Sequence, residues 1–93
     1  MSMSKPSRVE ELLGSRWKVR MIKELVNENE INISALVKRS HSFFRTATEY
    51  IEFLKEIGLV KEKRFGKVRI VVVNRNSEYY FLLKRLIEVI ETK

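Results

Sequence analysis

The stretch SALVKRSHSFFRTATEYIEFLKEIGLVKEKRFGKVR, residues 34–69, decides how this chain folds. Ser34 suits a helix N-cap, with a short helix Ala35–Arg39 whose Leu36 and Val37 face inward and whose Lys38 and Arg39 face out. Ser40-His41-Ser42 is a tight polar turn, and a longer helix is predicted from Phe43 to Ile57. At 100° per residue Phe43, Ala47, Tyr50, Ile51 and Leu54 share one arc, the expected core side, with small Ala47 where the two helices cross. Gly58 stops that helix. Two β-runs follow, Leu59–Lys63 and Lys67–Asn74, joined around Phe65-Gly66 with glycine supplying the positive φ of a hairpin turn. Helix, turn, helix, hairpin is the order of a winged helix, an α+β, mainly α unit that lays its second helix in a DNA major groove.

Outward from this centre, the remaining segments read as support. Residues 1–5 have no periodicity and are expected to be a flexible tail, leaving 6–93 as one winged-helix domain: 34–58 helix-turn-helix, 59–74 wing, 77–92 a C-terminal dimerisation helix. Pro6 or Ser7 opens a short helix with Val9, Leu12 and Leu13 on its apolar side and Gly14 as its stop. Ser15 fits the N-cap of a second helix running to about Asn27, with Trp17, Met21 and Leu25 in one stripe and Val19, Ile22 and Val26 beside it. Asn27-Glu28-Asn29-Glu30 reads as a polar loop, and Ile31-Asn32-Ile33 alternates as a short strand beside the hairpin. In the second hairpin strand Val68, Ile70 and Val72 share a face while Val71 and Val73 make the other apolar too, so the strand is expected to be covered on both sides near its end. Ser77 caps a last helix, Glu78–Thr92. Its Tyr79, Tyr80, Leu82, Leu83, Leu86, Ile87, Val89 and Ile90 make an apolar arc too wide for so small a domain to bury. A two-fold partner is the natural cover, with the Trp17 helix beside it.

Charge narrows the function. The formal net charge is +7 over 93 residues, which points to an anionic partner. Lys61, Lys63, Arg64, Lys67 and Arg69 face only Glu62 within residues 61–73, so over half of the excess sits on the hairpin. The exposed face of the Phe43–Ile57 helix is also divided. Its first turns offer His41, Ser42, Arg45, Thr46 and Thr48 with no acid, while Glu49, Glu52 and Glu56 follow. Acids repel phosphates, so only the N-terminal turns, where the helix dipole also favours anions, suit a groove.

Composition excludes other classes. Hydrophobic residues are 44% and charged residues 33%, a folded composition. No apolar run long enough to span a membrane and no secretory pattern occur, which predicts a cytoplasmic protein without membrane contact. There is no Cys, no Asp, no second His and no phosphate-cradling glycine loop, so neither a catalytic constellation nor a metal or cofactor site is expected, and no small-molecule pocket is evident. His41 reads as a turn residue rather than a pH switch. Heavy use of Lys, Glu, Ile and Val without Cys or Gln is similar to the proteins of heat-loving microbes.

Tyr50-Ile51-Glu52-Phe53-Leu54-Lys55-Glu56-Ile57-Gly58-Leu59-Val60 resembles the recognition-helix-to-wing passage of arsenic-repressor-type and multiple-antibiotic-resistance-repressor-type regulators, and Leu12-Leu13-Gly14-Ser15-Arg16 with Ile22 and Leu25 is similar to the opening of many archaeal members of that group. The likeness covers residues 12–74 and implies a homodimeric regulator of transcription that binds double-stranded DNA. The recognition positions it implies are Ser42, Phe44, Arg45, Thr46, Thr48 and Glu49, and the wing tip Lys63, Arg64 and Lys67. Ser40 and Ser42 stand where that group has apolar turn residues, so either the turn is irregular or Phe43 takes over their packing. The cysteines of metal-sensing members are absent.

The full expected DNA-facing set is Lys38, Arg39, Ser42, Phe44, Arg45, Thr46, Thr48, Glu49, Lys63, Arg64, Lys67 and Arg69, and the expected dimer face is Trp17, Tyr79, Leu82, Leu83, Leu86, Val89 and Ile90. Each position has a plainer role beside the sharper one. Arg45 suits a bidentate pair with guanine, and equally a phosphate contact or a salt bridge to Glu49 four residues on. Thr46 and Thr48 suit phosphates, Glu49 suits cytosine or simple solvation, and Phe44 suits packing or a thymine methyl. The basic hairpin suits phosphates or the protection of an edge strand. Two other functions stay open: a sequence-tolerant architectural DNA binder, and a winged helix that assembles with an acidic protein.

Overall fold

The computed structural model describes residues 7–92; the tail expected over residues 1–5 lies outside the described residues. The element order is α1 (Arg8–Leu13), α2 (Arg16–Glu28), β1 (Glu30–Asn32), α3 (Ile33–Ser40), α4 (Phe44–Glu56), β2 (Val60–Phe65), β3 (Val68–Val73) and α5 (Glu78–Glu91). The three strands form one antiparallel sheet in the order β1-β3-β2. The expected helix, turn, helix and hairpin are therefore all present, and the short strand expected near Ile31 joins the hairpin's outer edge.

Local chemistry sets most of the boundaries. Ser7 and Glu10 cap α1 reciprocally, each side chain accepting from the other's backbone N–H. At Gly14 any Cβ would stand 2.3 Å from the Glu10 carbonyl oxygen, so only glycine lets α1 turn into α2. Gly58, at φ +79°, follows α4 and closes it through hydrogen bonds from its own N–H to Lys55 and from the Leu59 N–H to Leu54. Ser77 caps α5 through the Tyr79 N–H.

Met21, Ile22 and Leu25 of α2, Leu36 of α3, Ala47, Ile51 and Leu54 of α4, and Leu59 and Val71 by the sheet are fully or almost fully buried. They form one core, with α2 in contact with α1, α3, α5 and the sheet, as its wide apolar arc predicts. Tyr50 donates its hydroxyl to the Leu12 carbonyl and stacks edge-on against Trp17, with ring centroids 5.2 Å apart. Burial pushes the Tyr50 hydroxyl pKa up, so it remains a donor.

The structure corrects several local expectations. The α3 helix begins at Ile33, not Ala35, because the Asn32 side chain accepts from the Ala35 N–H and displaces Ser34 as the cap; Ile33 is then buried. Asn27-Glu28-Asn29-Glu30 is not a loop. The α2 helix runs through Glu28, Asn29 closes it in the left-handed region at φ 67°, and Glu30 already pairs with Val72. The hairpin turn is Gly66-Lys67, since Phe65 pairs with Val68. Val9 and Val19 are exposed. Ser15 makes no side-chain cap bond.

Phe43 is the largest departure. Expected in the core, it is 83% exposed. The reason lies in the turn: α4 starts one residue later, so Phe43 is an extended N-cap to which helical periodicity does not apply. Nor does Phe43 replace apolar turn residues. Ser40 itself is fully buried, donating to the Val37 carbonyl and accepting from Ser42 at 2.9 Å, and His41 bends the chain at φ 59°. A hydrogen-bonded serine pair fills the position where the resembled regulators place apolar side chains.

Candidate nucleic-acid interface

The first turn of α4 is basic, acid-free and uncapped. Its opening backbone N–H groups receive no side-chain cap, its first turn contains no acid, and the first helical bond runs from the Ala47 N–H to the Phe43 carbonyl. The Arg45 side chain is 93% exposed and approaches Glu49 only to 3.9 Å, too long for a firm pair. Phe44 and Thr46 are exposed beside it. Ser42 is turned inward to Ser40 and Val37, and Thr48 bonds back to the Arg45 carbonyl at 2.8 Å. Both hydroxyls are thus already engaged, and Glu49 is exposed one turn further along.

On the hairpin, strand alternation sorts the cations. Val60, Glu62 and Arg64 of β2 and Arg69, Val71 and Val73 of β3 lie on one side, where Val60, Val71 and Val73 enter the core. Arg64 and Arg69 are cross-strand partners, a like-charge pair that destabilises a hairpin unless an anion intervenes. Glu62 intervenes. Its side chain is only 7% exposed, accepts two hydrogen bonds from Arg69, meets Lys55 of α4 at 2.8 Å and lies 3.5 Å from Arg64. The Arg69 hydrogen bonds, aided by Lys55, hold the Glu62 pKa down at about 2 despite the opposing cost of burial.

This accounting divides the expected DNA-facing set. Arg69 is committed to Glu62, and Arg39 to Glu24 and Glu28 of α2 at 3.1 and 3.2 Å, hydrogen bonds that raise its pKa further. Lys38 is exposed beyond them. Lys61 and Lys67 are exposed and make no ion pair among the described residues, Lys63 is only 3.7 Å from Glu30, and Arg64 is two-thirds exposed. On α3, the first turn of α4 and the wing, the exposed cations with no ion pair shorter than 3.5 Å are therefore Lys38, Arg45, Lys61, Lys63, Arg64 and Lys67. Lys61 and the exposed Phe43 and Phe65 were not among the expected site residues; strand alternation alone would have set Lys61 beside Lys63.

The last helix, α5, buries Tyr80 and Leu83 in the chain's own core and leaves Phe81, Leu82, Leu86, Val89 and Ile90 exposed. Tyr79 is half-buried, and Trp17 packs on Tyr50. Among the described residues no cluster of His, Asp or Glu can hold a metal ion, and no helix is long and apolar enough to cross a membrane.

No protein-family profile and no curated protein match the chain. Solved structures do. The AntR antimony-specific transcriptional repressor superposes with a TM-score of 0.64 at 14% identity, over 98% of this chain and 91% of that one. A homodimeric winged helix-turn-helix DNA-binding domain from Mycobacterium bovis, a possible ArsR-family regulator, gives 0.63 at 19% identity, over 97% and 91%. Sso10a-2, a DNA-binding protein from Sulfolobus solfataricus, gives 0.59 at 17% identity, over 80% and 77%. The fold is a winged helix-turn-helix. Within it α3 and α4 are the helix-turn-helix, and β2 and β3 the wing.

Proposed function

We propose that this chain is a regulator of transcription that binds double-stranded DNA as a homodimer, not an enzyme, with residues 6–93 acting as one domain. The observation that carries the reading is a pair of exposed basic elements: the acid-free first turn of α4 around Arg45, and a wing whose single acid is already neutralised. The N-terminal turns of α4 enter a major groove, Arg45 meets a guanine edge, and Lys61, Lys63, Arg64 and Lys67 follow the backbone or adjacent minor groove. The α5 strip of Leu82, Leu86, Val89 and Ile90 pairs two copies, which sets half-sites about one helical turn (~10 bp) or a multiple apart. The DNA-binding and homodimeric proteins among the structural neighbours support this reading.

Fluorescence anisotropy tests it, using genomic-fragment and random duplexes across a salt series with wild type, Arg45→Ala and Lys63→Ala/Arg64→Ala. The regulator stands if one duplex binds far more tightly, Arg45→Ala removes that preference, and the double variant lowers the salt slope by roughly two. Equal affinity for every duplex makes the protein an architectural binder. No binding near physiological salt removes both and turns attention to an acidic protein partner.

A further inference from the structure

Phe43 and Phe44 are consecutive, 83% and 51% exposed, and stand at the very start of α4. The fold gains little from Phe43 there. It occupies an N-cap position, where Ser, Asp or Asn would accept a backbone hydrogen bond and a phenyl ring accepts none. It also leaves an aromatic ring in water beside the exposed Arg45. The local structure would be more stable with a small polar residue, so the ring's use lies outside the folded chain.

Its surroundings identify the occupant. Arg45 and Thr46 share the turn, no acid lies within it, and Lys38 is exposed on the preceding helix. A second copy docked two-fold on this patch would bring two basic, acid-free turns together, so self-association is disfavoured. An anionic duplex is favoured, and the one apolar group on a major-groove edge is the C5 methyl of thymine. We infer that Phe43, with Phe44, reads thymine methyls, so that the helix selects A·T pairs next to the base met by Arg45. This rests on the DNA-binding reading and deepens it.

The test compares three duplexes of equal length built round one central guanine: one with A·T flanks, the same duplex with deoxyuridine for every thymidine, and one with G·C flanks. Removal of the methyls is expected to weaken wild-type binding roughly fivefold. Phe43→Ser, which restores a cap, is expected to raise Tm, keep the salt slope, and shrink that methyl dependence; Phe43→Leu keeps most of it. Equal wild-type affinity for the thymidine and deoxyuridine duplexes overturns the inference while leaving DNA binding in place. An unchanged methyl effect in Phe43→Ser overturns the role of Phe43. A changed sedimentation mass in Phe43→Ser makes the ring a self-association contact and overturns it too. Failure to bind any of the three duplexes even at low salt, where phosphate contacts alone suffice, removes the DNA reading and this inference together.

Discussion

Arg69 on β3 donates two hydrogen bonds to Glu62 on β2, diagonally across the wing, and so keeps Glu62 ionised far below the ordinary carboxylate range. A carboxylate whose folded pKa lies below its unfolded value stabilises fully above the unfolded pKa and loses that contribution as the pH falls towards the folded one. The window therefore runs from near 4.5 down to about 2. Glu62→Gln is expected to cost on the order of 2 kcal/mol at neutral pH and much less near pH 2, as urea unfolding at the two pH values will show.

The Tyr50 hydroxyl of α4 donates to the Leu12 carbonyl of α1, a buried bond between distant parts of the chain. Tyr50→Phe leaves that acceptor without its partner in a buried place, a loss of about 1–3 kcal/mol. Thermal unfolding followed by circular dichroism should show a lower Tm with unchanged helix content. An unchanged Tm would mean that water replaces the bond.

Two cations from the expected DNA-facing set should behave differently. Arg39 is held by Glu24 and Glu28, whereas Lys67 sits exposed in the hairpin turn. Lys67→Ala should lower the slope of log affinity against log salt by roughly one, and Arg39→Ala should leave it within error.

The exposed strip on α5 gives a prediction about assembly. Leu86→Glu with Ile90→Glu adds charge to side chains that bury little within the protomer. Sedimentation equilibrium should report monomers, with the far-ultraviolet spectrum of a folded chain. Dimers persisting at micromolar concentration would move the interface elsewhere.

The order of elements was legible because the helix and strand periods change abruptly at Gly58, and glycine leaves few alternatives there. The α5 cap and the charged hairpin were legible for the same local reasons. What escaped was tertiary or depended on a single cap. Asn32 and Ser34 are both good caps, and only the burial of Ile33 decides between them. Phe43 looked apolar and in phase, yet a one-residue shift in the start of α4 took it off the wheel. The partners of Arg39 and Arg69 could not be read from a count of charges, since Glu24 and Glu28 are brought to Arg39 by helix packing, and Glu62 to Arg69 by strand register. In the candidate site, sequence found the elements and the acid-free turn, while structure decided which cations face solvent.

Lys55 has its own consequence. Reaching from α4 to Glu62 at 2.8 Å while also meeting Glu52 at 2.7 Å, it bolts α4 to the wing through the carboxylate that Arg69 holds. The two elements then act as the jaws of a caliper with a set opening. On the proposed DNA-binding reading, a duplex whose groove spacing differs from that opening must itself twist or widen to be gripped, so the stiffness of the intervening base steps becomes part of what is selected.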